Sequence, residues 1–346
     1  MNVVIRCDSS TTIGSGHLMR CLTLARYYCI DGQNVTFICR NLLGNMNDLA
    51  REQGFELKIL PVADPNDYLT GYGKWLTVTQ EQDAAETIEI VRKMDKAERL
   101  VVDSYAIDCT WEKMLRPYVG EIMVIDDLAN RQHDCDVLLD QNFYLHKEMR
   151  YQGLVPAHCR MLLGPEYALL REEFYRVKAQ MRERDGRLRN IVVFYGGVDA
   201  TDETSKAIDD LLVLRQLGGL IKVKVTVVVG AGNGRKEAIA KRCTEVGFTY
   251  LCQVSNMAEL MAEADLMLGA GGSTTWERCY LQLPAIVTAV AENQFQICED
   301  CAAAGLIYYL GHWDQVKQGD ICRAIKEMSA PDKMLAMQRK MSQLME

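Results

Sequence analysis

The apolar run Val3-Val4-Ile5 gives way to a polar, glycine-bearing stretch from Arg6 to Gly16, and a helical repeat begins at His17. Leu18, Cys21, Leu22, Ala25 and Cys29 recur at i, i+3, i+4, i+7 and beyond, which places them on one face of a helix. Strand, glycine loop and helix in that order fit few architectures. In an open parallel sheet the loop lies over the carboxyl end of the first strand, where such sheets bind ligands. Gly14, Ser15 and Gly16 let backbone N–H groups come close to a ligand, and the positive end of a helix favours negative charge. His17 stands at that helix start, the only residue in the loop that exchanges a proton near neutral pH. The loop carries neither a dinucleotide fingerprint nor the lysine ending of a P-loop. On its own it is equally compatible with a histidine that caps the helix or is a buried hydrogen-bonder.

The same alternation repeats downstream. Strands are predicted at 35–39, 55–60, 100–102, 121–125 and 135–139, with helices around 45–53 and 85–94 between them. After a charged helical stretch from Leu169 to Met181 and a turn-like, solvated Arg182-Glu183-Arg184-Asp185-Gly186-Arg187, the pattern restarts. Strands follow at 191–195, 223–229, 248–251, 266–268 and 285–287. A chain of 346 residues accommodates two cores. The prediction is α/β: two doubly wound Rossmann-like domains facing a central cleft, an N-terminal domain over 1–165 with the first loop and a C-terminal domain over 188–346. Two predicted strands end in carboxylates, Asp103 and Asp126-Asp127. Such residues either line the ligand crevice or cap the turns that follow, and both readings stay open.

The second domain has a glycine loop of its own, Gly269-Ala270-Gly271-Gly272-Ser273-Thr274-Thr275. Glycines, hydroxyls and a helix start suit a diphosphate. Glu277 lies one turn beyond Ser273 on the same face, placed to accept the hydroxyls of a ribose. Gly196-Gly197 and Gly230-Ala231-Gly232 are further close-approach loops. Asn293-Gln294 opens a later helix, where it either caps the helix or reaches a sugar or phosphate.

Net charge is −8 with no long basic run, which argues against nucleic acid or an anionic membrane as partner. No apolar run approaches the ~20 residues that cross a bilayer, and the first residues lack the features of a signal peptide. Residues 61–79 hold Tyr68, Tyr72 and Trp75 with Lys74 as their one base, a weak membrane signal. The 13 cysteines are scattered through strands and helices, as expected of small buried side chains in a reducing cytoplasm. Cys298 and Cys301 form a lone C-x-x-C, and the five histidines show no ligand spacing, so neither a metal nor another cofactor is expected. The chain is expected to be a cytoplasmic monomer.

Asp8-Ser9-Ser10, Ile13-Gly14-Ser15-Gly16-His17 and Met19-Arg20-Cys21 resemble the N-terminus of the UDP-sugar hydrolase family of pseudaminic acid biosynthesis. The likeness continues through Asp126-Asp127, His133-Asp134-Cys135-Asp136, Leu139-Asp140-Gln141-Asn142, Gly153-Leu154-Val155-Pro156 and Tyr167-Ala168-Leu169-Leu170-Arg171-Glu172-Glu173-Phe174. It ends with the loop and helix from Gly269 to Pro284 and with Glu292-Asn293-Gln294. The resemblance implies a GT-B fold, like that of the glycosyltransferase that adds N-acetylglucosamine to lipid I. It implies hydrolysis of UDP-2,4-diacetamido-2,4,6-trideoxy-β-L-altropyranose to UDP and free sugar, with His17 as general base and Glu277 on the ribose. It also implies that the C-terminal domain holds UDP and that Tyr105 is a secondary candidate near the sugar; the loops read above supply the candidates for that UDP site, Gly196, Gly197, Gly271, Gly272, Ser273, Thr274, Asn293 and Gln294. Some members carry asparagine just before the glutamate, where this chain has Trp276. A glycosyltransferase, a hydrolase of a stereoisomeric sugar and a non-catalytic UDP-sugar sensor are the alternatives.

Overall fold

The computed structural model describes residues 1–63 and 69–345. The chain divides into two compact units, Met1–Asn142 with His146–Leu169, and Phe143–Leu145 with the chain from Leu170 onward.

In the first unit seven strands form one parallel sheet: β1 (Asn2–Cys7), β2 (Asn34–Arg40), β3 (Glu56–Leu60), β4 (Ala97–Asp103), β5 (Val119–Ile125), β6 (Val137–Asp140) and β7 (Arg160–Leu163), in the order β3-β2-β1-β4-β5-β6-β7. The strands are apolar runs because helices cover both faces. Among the described residues, four α-helices belong here, α1 (Gly16–Ile30), α2 (Asp48–Glu52), α3 (Gln80–Val91) and α4 (Cys109–Leu115). Val3, Ile5 and Cys7 of β1 pack with Leu18, Cys21, Leu22 and Ala25 of α1 on one face, while Val4 joins Val102, Trp111 and Leu138 on the other. Cys29, placed on the buried face of α1 by periodicity, is exposed, and Tyr28 is buried instead. The order reverses between β1 and β4, which are paired with Cys7 opposite Asp103. That reversal is where an open α/β sheet leaves its ligand crevice.

The second unit repeats the plan with β8 (Asn190–Phe194), β9 (Lys224–Val229), β10 (Thr249–Cys252), β11 (Leu266–Ala270), β12 (Ala285–Ala289) and β13 (Tyr308–His312) in the order β10-β9-β8-β11-β12-β13. Its helices are α5 (Glu172–Lys178), α6 (Glu203–Gln216), α7 (Lys236–Val246), α8 (Met257–Glu263), α9 (Thr274–Tyr280), α10 (Phe295–Ala303), α11 (Asp320–Met328) and α12 (Pro331–Met345). Here the order reverses between β8 and β11, the strands that lead into Gly196-Gly197 and Gly271-Gly272.

The stretch 182–187, read from sequence as a solvated linker, is partly structural. Arg184 is buried and donates to the carbonyls of Met261, Ala264 and Leu281 at 2.7, 2.6 and 2.6 Å. These carbonyls lie in and just beyond α8 and just beyond α9, where helix ends leave acceptors unpaired. The guanidinium fork fills that need, which outweighs the hydrophilicity of its neighbours.

Candidate functional site

In the first unit the glycine loop turns tightly: Gly14 N–H donates to the Ser10 carbonyl at 2.8 Å, and Gly14 has φ +79°. A Cβ at Gly14 or Gly16 would meet open space, so Gly14 serves the turn and Gly16 adds no bulk at the helix start. Ser15 occupies the N-cap without a side-chain bond to the helix. His17 opens α1 and is largely buried at 8% exposure.

Its Nδ1 lies 2.6 Å from Asp103 Oδ1, across the β1–β4 reversal. Arg20, one turn along α1, grips the same carboxylate twice, Nε to Oδ2 at 2.6 Å and Nη2 to Oδ1 at 2.7 Å. Its Nη1 reaches Asp127 Oδ2 at 3.1 Å, and the Tyr105 hydroxyl donates to Asp127 Oδ1 at 2.5 Å. Burial alone would raise the Asp103 carboxyl, but the charges of Arg20 and then His17 outweigh it and hold the group well below the usual carboxylate range. Asp103 is therefore an ionised acceptor. His17 Nδ1 carries the proton that bonds it, and Nε2 is left as the basic nitrogen. The Tyr105 ring packs edge-on against the imidazole at 4.7 Å.

Asp126, the other strand-end candidate, is structural: it accepts from Ala129 N–H at 2.9 Å and from Arg131 at 2.7 Å. Tyr68, read with Tyr72 and Trp75 as a weak membrane signal, lies outside the described residues. Tyr72 and Trp75 sit in the 3-10 turn Gly71–Leu76 and join the rings around His17, with Trp75 at 5.9 Å from the imidazole and Tyr72 packed edge-on to Trp75 at 4.8 Å.

In the second unit, Gly271, Gly272 and Gln294 come together. A Cβ on Gly271 would fall 2.2 Å from Cys298 Sγ and 3.5 Å from Gln294, and one on Gly272 3.8 Å from Gln294 Nε2. Gln294 does not cap α10; its Oε1 accepts from Val290 N–H at 3.0 Å. Asn293 is exposed beside it, Ser273 is exposed at the start of α9 and Thr274 is half-buried. Gly196, at φ +93°, and Gly197 follow β8; a Cβ on Gly230 would strike the Gly197 carbonyl, so that close approach is made by the protein's own backbone.

Glu277 projects from the first turn of α9. One carboxylate oxygen accepts from Arg171 Nε at 2.9 Å, and the other, Oε2, is buried without a partner. Burial pushes this carboxyl up, and Arg171 offsets part of that rise. A buried oxygen that lacks a donor costs free energy until a donor arrives; a ribose hydroxyl is such a donor. Arg171, in the stretch from Tyr167 to Phe174 that carries the family resemblance, is a partner that sequence pattern does not single out. Trp276, next to Glu277, is buried in the core.

Cys298 and Cys301 are buried in α10, with Cys298 raised to about 12 by burial. Among the described residues no group of three or more His, Cys, Asp or Glu is placed to hold a metal ion, and no helix is long and apolar enough to cross a membrane.

Residues 191–345 match the glycosyltransferase family 28 C-terminal domain. The UDP-2,4-diacetamido-2,4,6-trideoxy-β-L-altropyranose hydrolase of Campylobacter jejuni is 27% identical over 296 residues, 85% of this chain and 93% of that protein. Along most of its length the chain resembles that hydrolase. Among solved structures, MurG of Acinetobacter baumannii superposes with a TM-score of 0.64 at 14% identity, covering 99% of this chain and 94% of that one. TcCGT1 in complex with UDP superposes with a TM-score of 0.67 at 11% identity, covering 99% and 93%. The architecture is GT-B, two parallel-sheet Rossmann-like domains, as the resemblance to the hydrolase family implied.

Proposed function

We propose that this chain is a UDP-sugar hydrolase that cleaves UDP-2,4-diacetamido-2,4,6-trideoxy-β-L-altropyranose to UDP and the free sugar. Water attacks the anomeric carbon from the face opposite UDP, and the configuration inverts. His17 Nε2 takes the water's proton as the new C–O bond forms, a contribution typically of about 10² to 10⁴ in rate. The bond from the anomeric carbon to the UDP oxygen breaks, and the electron pair leaves with UDP. The second unit holds the nucleotide: backbone N–H groups at Gly271, Gly272 and Ser273, with the Thr274 hydroxyl, meet the diphosphate, and Glu277 takes the ribose hydroxyls. Gly196, Gly197, Asn293 and Gln294 complete that pocket. Gly14, Ser15 and Gly16 let the substrate approach His17. Tyr105 packs the imidazole and fixes Asp127.

The strongest support is the 2.6 Å contact between His17 and Asp103, which leaves a basic nitrogen at the head of a glycine loop. The likeness to the Campylobacter hydrolase supports the substrate. The deciding experiment is turnover in ¹⁸O water with no added acceptor. The expected result is UDP release with the label in the sugar, and a fall of at least about 10²-fold in the His17→Asn variant with UDP affinity kept. Label in the phosphate, or unchanged turnover in the variant, overturns the mechanism. UDP release only on addition of a sugar or lipid acceptor would assign glycosyl transfer instead.

A further inference from the structure

Three aromatic rings gather beside the imidazole of His17. Trp75 stacks on Tyr105 with centroids 5.5 Å apart and 28° between planes. Tyr72 meets Trp75 at 4.8 Å and Tyr105 at 5.2 Å, both edge-on. They are graded in exposure: Tyr105 is 8% exposed, Trp75 half-buried and Tyr72 38% exposed. Tyr105 is fixed from below by its bond to Asp127, so that its ring is held in place. Trp75 reaches into the core cluster of β4 and α4 and also lies 5.9 Å from the His17 ring. An aromatic group anchored at its buried end, partly open at the other and packed beside the His17 imidazole offers a rigid, apolar surface there.

We propose that Tyr72 and Trp75, backed by Tyr105, form a wall that receives the apolar groups of the substrate sugar and selects sugars rich in them. The inference rests on the hydrolase reading. A 2,4-diacetamido-2,4,6-trideoxy sugar carries three methyl groups, two on acetamides and one at C6, where ordinary hexoses carry hydroxyls. Methyl groups gain by leaving water against an aromatic face, whereas a hydroxyl pressed there loses a hydrogen bond. A difference of one such group in an apolar pocket is worth about 10- to 200-fold in specificity.

The test compares the native protein with Tyr72→Ala and Trp75→Ala, using the UDP-linked diacetamido-trideoxy sugar and UDP-N-acetylglucosamine. Tyr72 is exposed and its removal spares the core; Trp75→Phe serves if Trp75→Ala fails to fold. Two readouts are taken. One is the ratio of kcat/KM for the two nucleotide sugars. The other is magnetisation transfer from aromatic protons to the sugar methyls, which needs no turnover. The expected outcome is a fall of about 10-fold or more in the ratio, a weaker methyl signal in each alanine variant, and unchanged affinity for UDP alone. Equal losses on both sugars, or a methyl signal of native strength in both variants, overturns the wall. A methyl signal in the native protein without UDP release would keep the wall and overturn hydrolysis.

Discussion

Replacing Asp103 by asparagine keeps the shape of the side chain and removes one charge. The buried carboxylate accepts from His17 Nδ1 at 2.6 Å, from Arg20 at 2.6 and 2.7 Å, and from Cys21 Sγ at 3.4 Å. An amide has one accepting oxygen and one donating nitrogen. If the oxygen faces Arg20, the NH₂ faces His17, so Nδ1 must accept, the ring proton moves to Nε2 and the basic nitrogen is lost. If the oxygen faces His17, the NH₂ takes the Oδ2 place and opposes Arg20 Nε, whereas in the first arrangement it opposes Arg20 Nη2. Arg20 loses one acceptor in either arrangement; the first also costs the basic nitrogen, and both remove the carboxylate charge that favours a protonated His17. The expected loss is that of the general base, about 10² to 10⁴ in kcat, or roughly 3 to 5.5 kcal/mol of barrier at about 1.4 kcal/mol per tenfold.

Stability falls less steeply, because Arg20 keeps Asp127 at 3.1 Å. Removing one partner of a buried pair costs about 3 to 5 kcal/mol at most. The native protein has its own signature here. With Asp103 held below its unfolded value, its contribution is present above pH ~4 and is lost as pH falls further, and the variant lacks that loss. Steady-state UDP release, UDP titration and thermal unfolding read the three consequences. Turnover of Asp103→Asn within threefold of the native value would refute the tautomer argument.

Two further outcomes follow from buried ionisable groups. Arg184→Met leaves three carbonyls without their donor, at about 1 to 3 kcal/mol each, so thermal unfolding should begin at least roughly 6 °C lower, at about 2 to 4 °C per kcal/mol; an unchanged midpoint would show that water replaces the guanidinium. Asp140 is pushed up to about 7, by burial first and Asp127 second. Its folded value exceeds the unfolded one near ~4, so its contribution is full below that and is lost as pH rises to about 7, up to roughly 4 kcal/mol. Asp140→Asn should therefore gain stability relative to the native protein between pH 4.5 and 8 in denaturant titrations, and a difference independent of pH would contradict this.

Parallel strands buried on both faces read as apolar runs, which is why β1, β2, β4, β5, β8 and β9 are legible as elements in the sequence. Among the strands, those that escaped are the ones where that signal fails. In β7 the first two residues are exposed and the last two half-buried, and all of β13 is half-buried, with Gly311 inside it. Neither shows a clean run. Helix α4 spans seven residues, too few for a period to emerge, and its start is marked by Asp108, whose carboxylate accepts from Thr110 N–H at 2.8 Å.

The site divides along the same line between local and distant information. His17 was legible as a candidate because strand, glycine loop and helix are contiguous, and Glu277 as another because it lies four residues beyond Ser273. Their partners were not. Asp103 is 86 residues from His17, and a carboxylate at a strand end looks the same whether it caps a turn, as Asp126 does, or holds an imidazole. Only the pairing of β1 with β4 separates those roles, since it sets Cys7 beside Asp103. Arg171 likewise meets Glu277 from 106 residues away. Tyr72 and Trp75 are a further case of distant information. Aromatics in a loop with a single base gave only a weak membrane signal. What composition could not supply was their address: Trp75 lies 5.9 Å from the His17 ring, and Tyr72 packs edge-on against Trp75 and Tyr105.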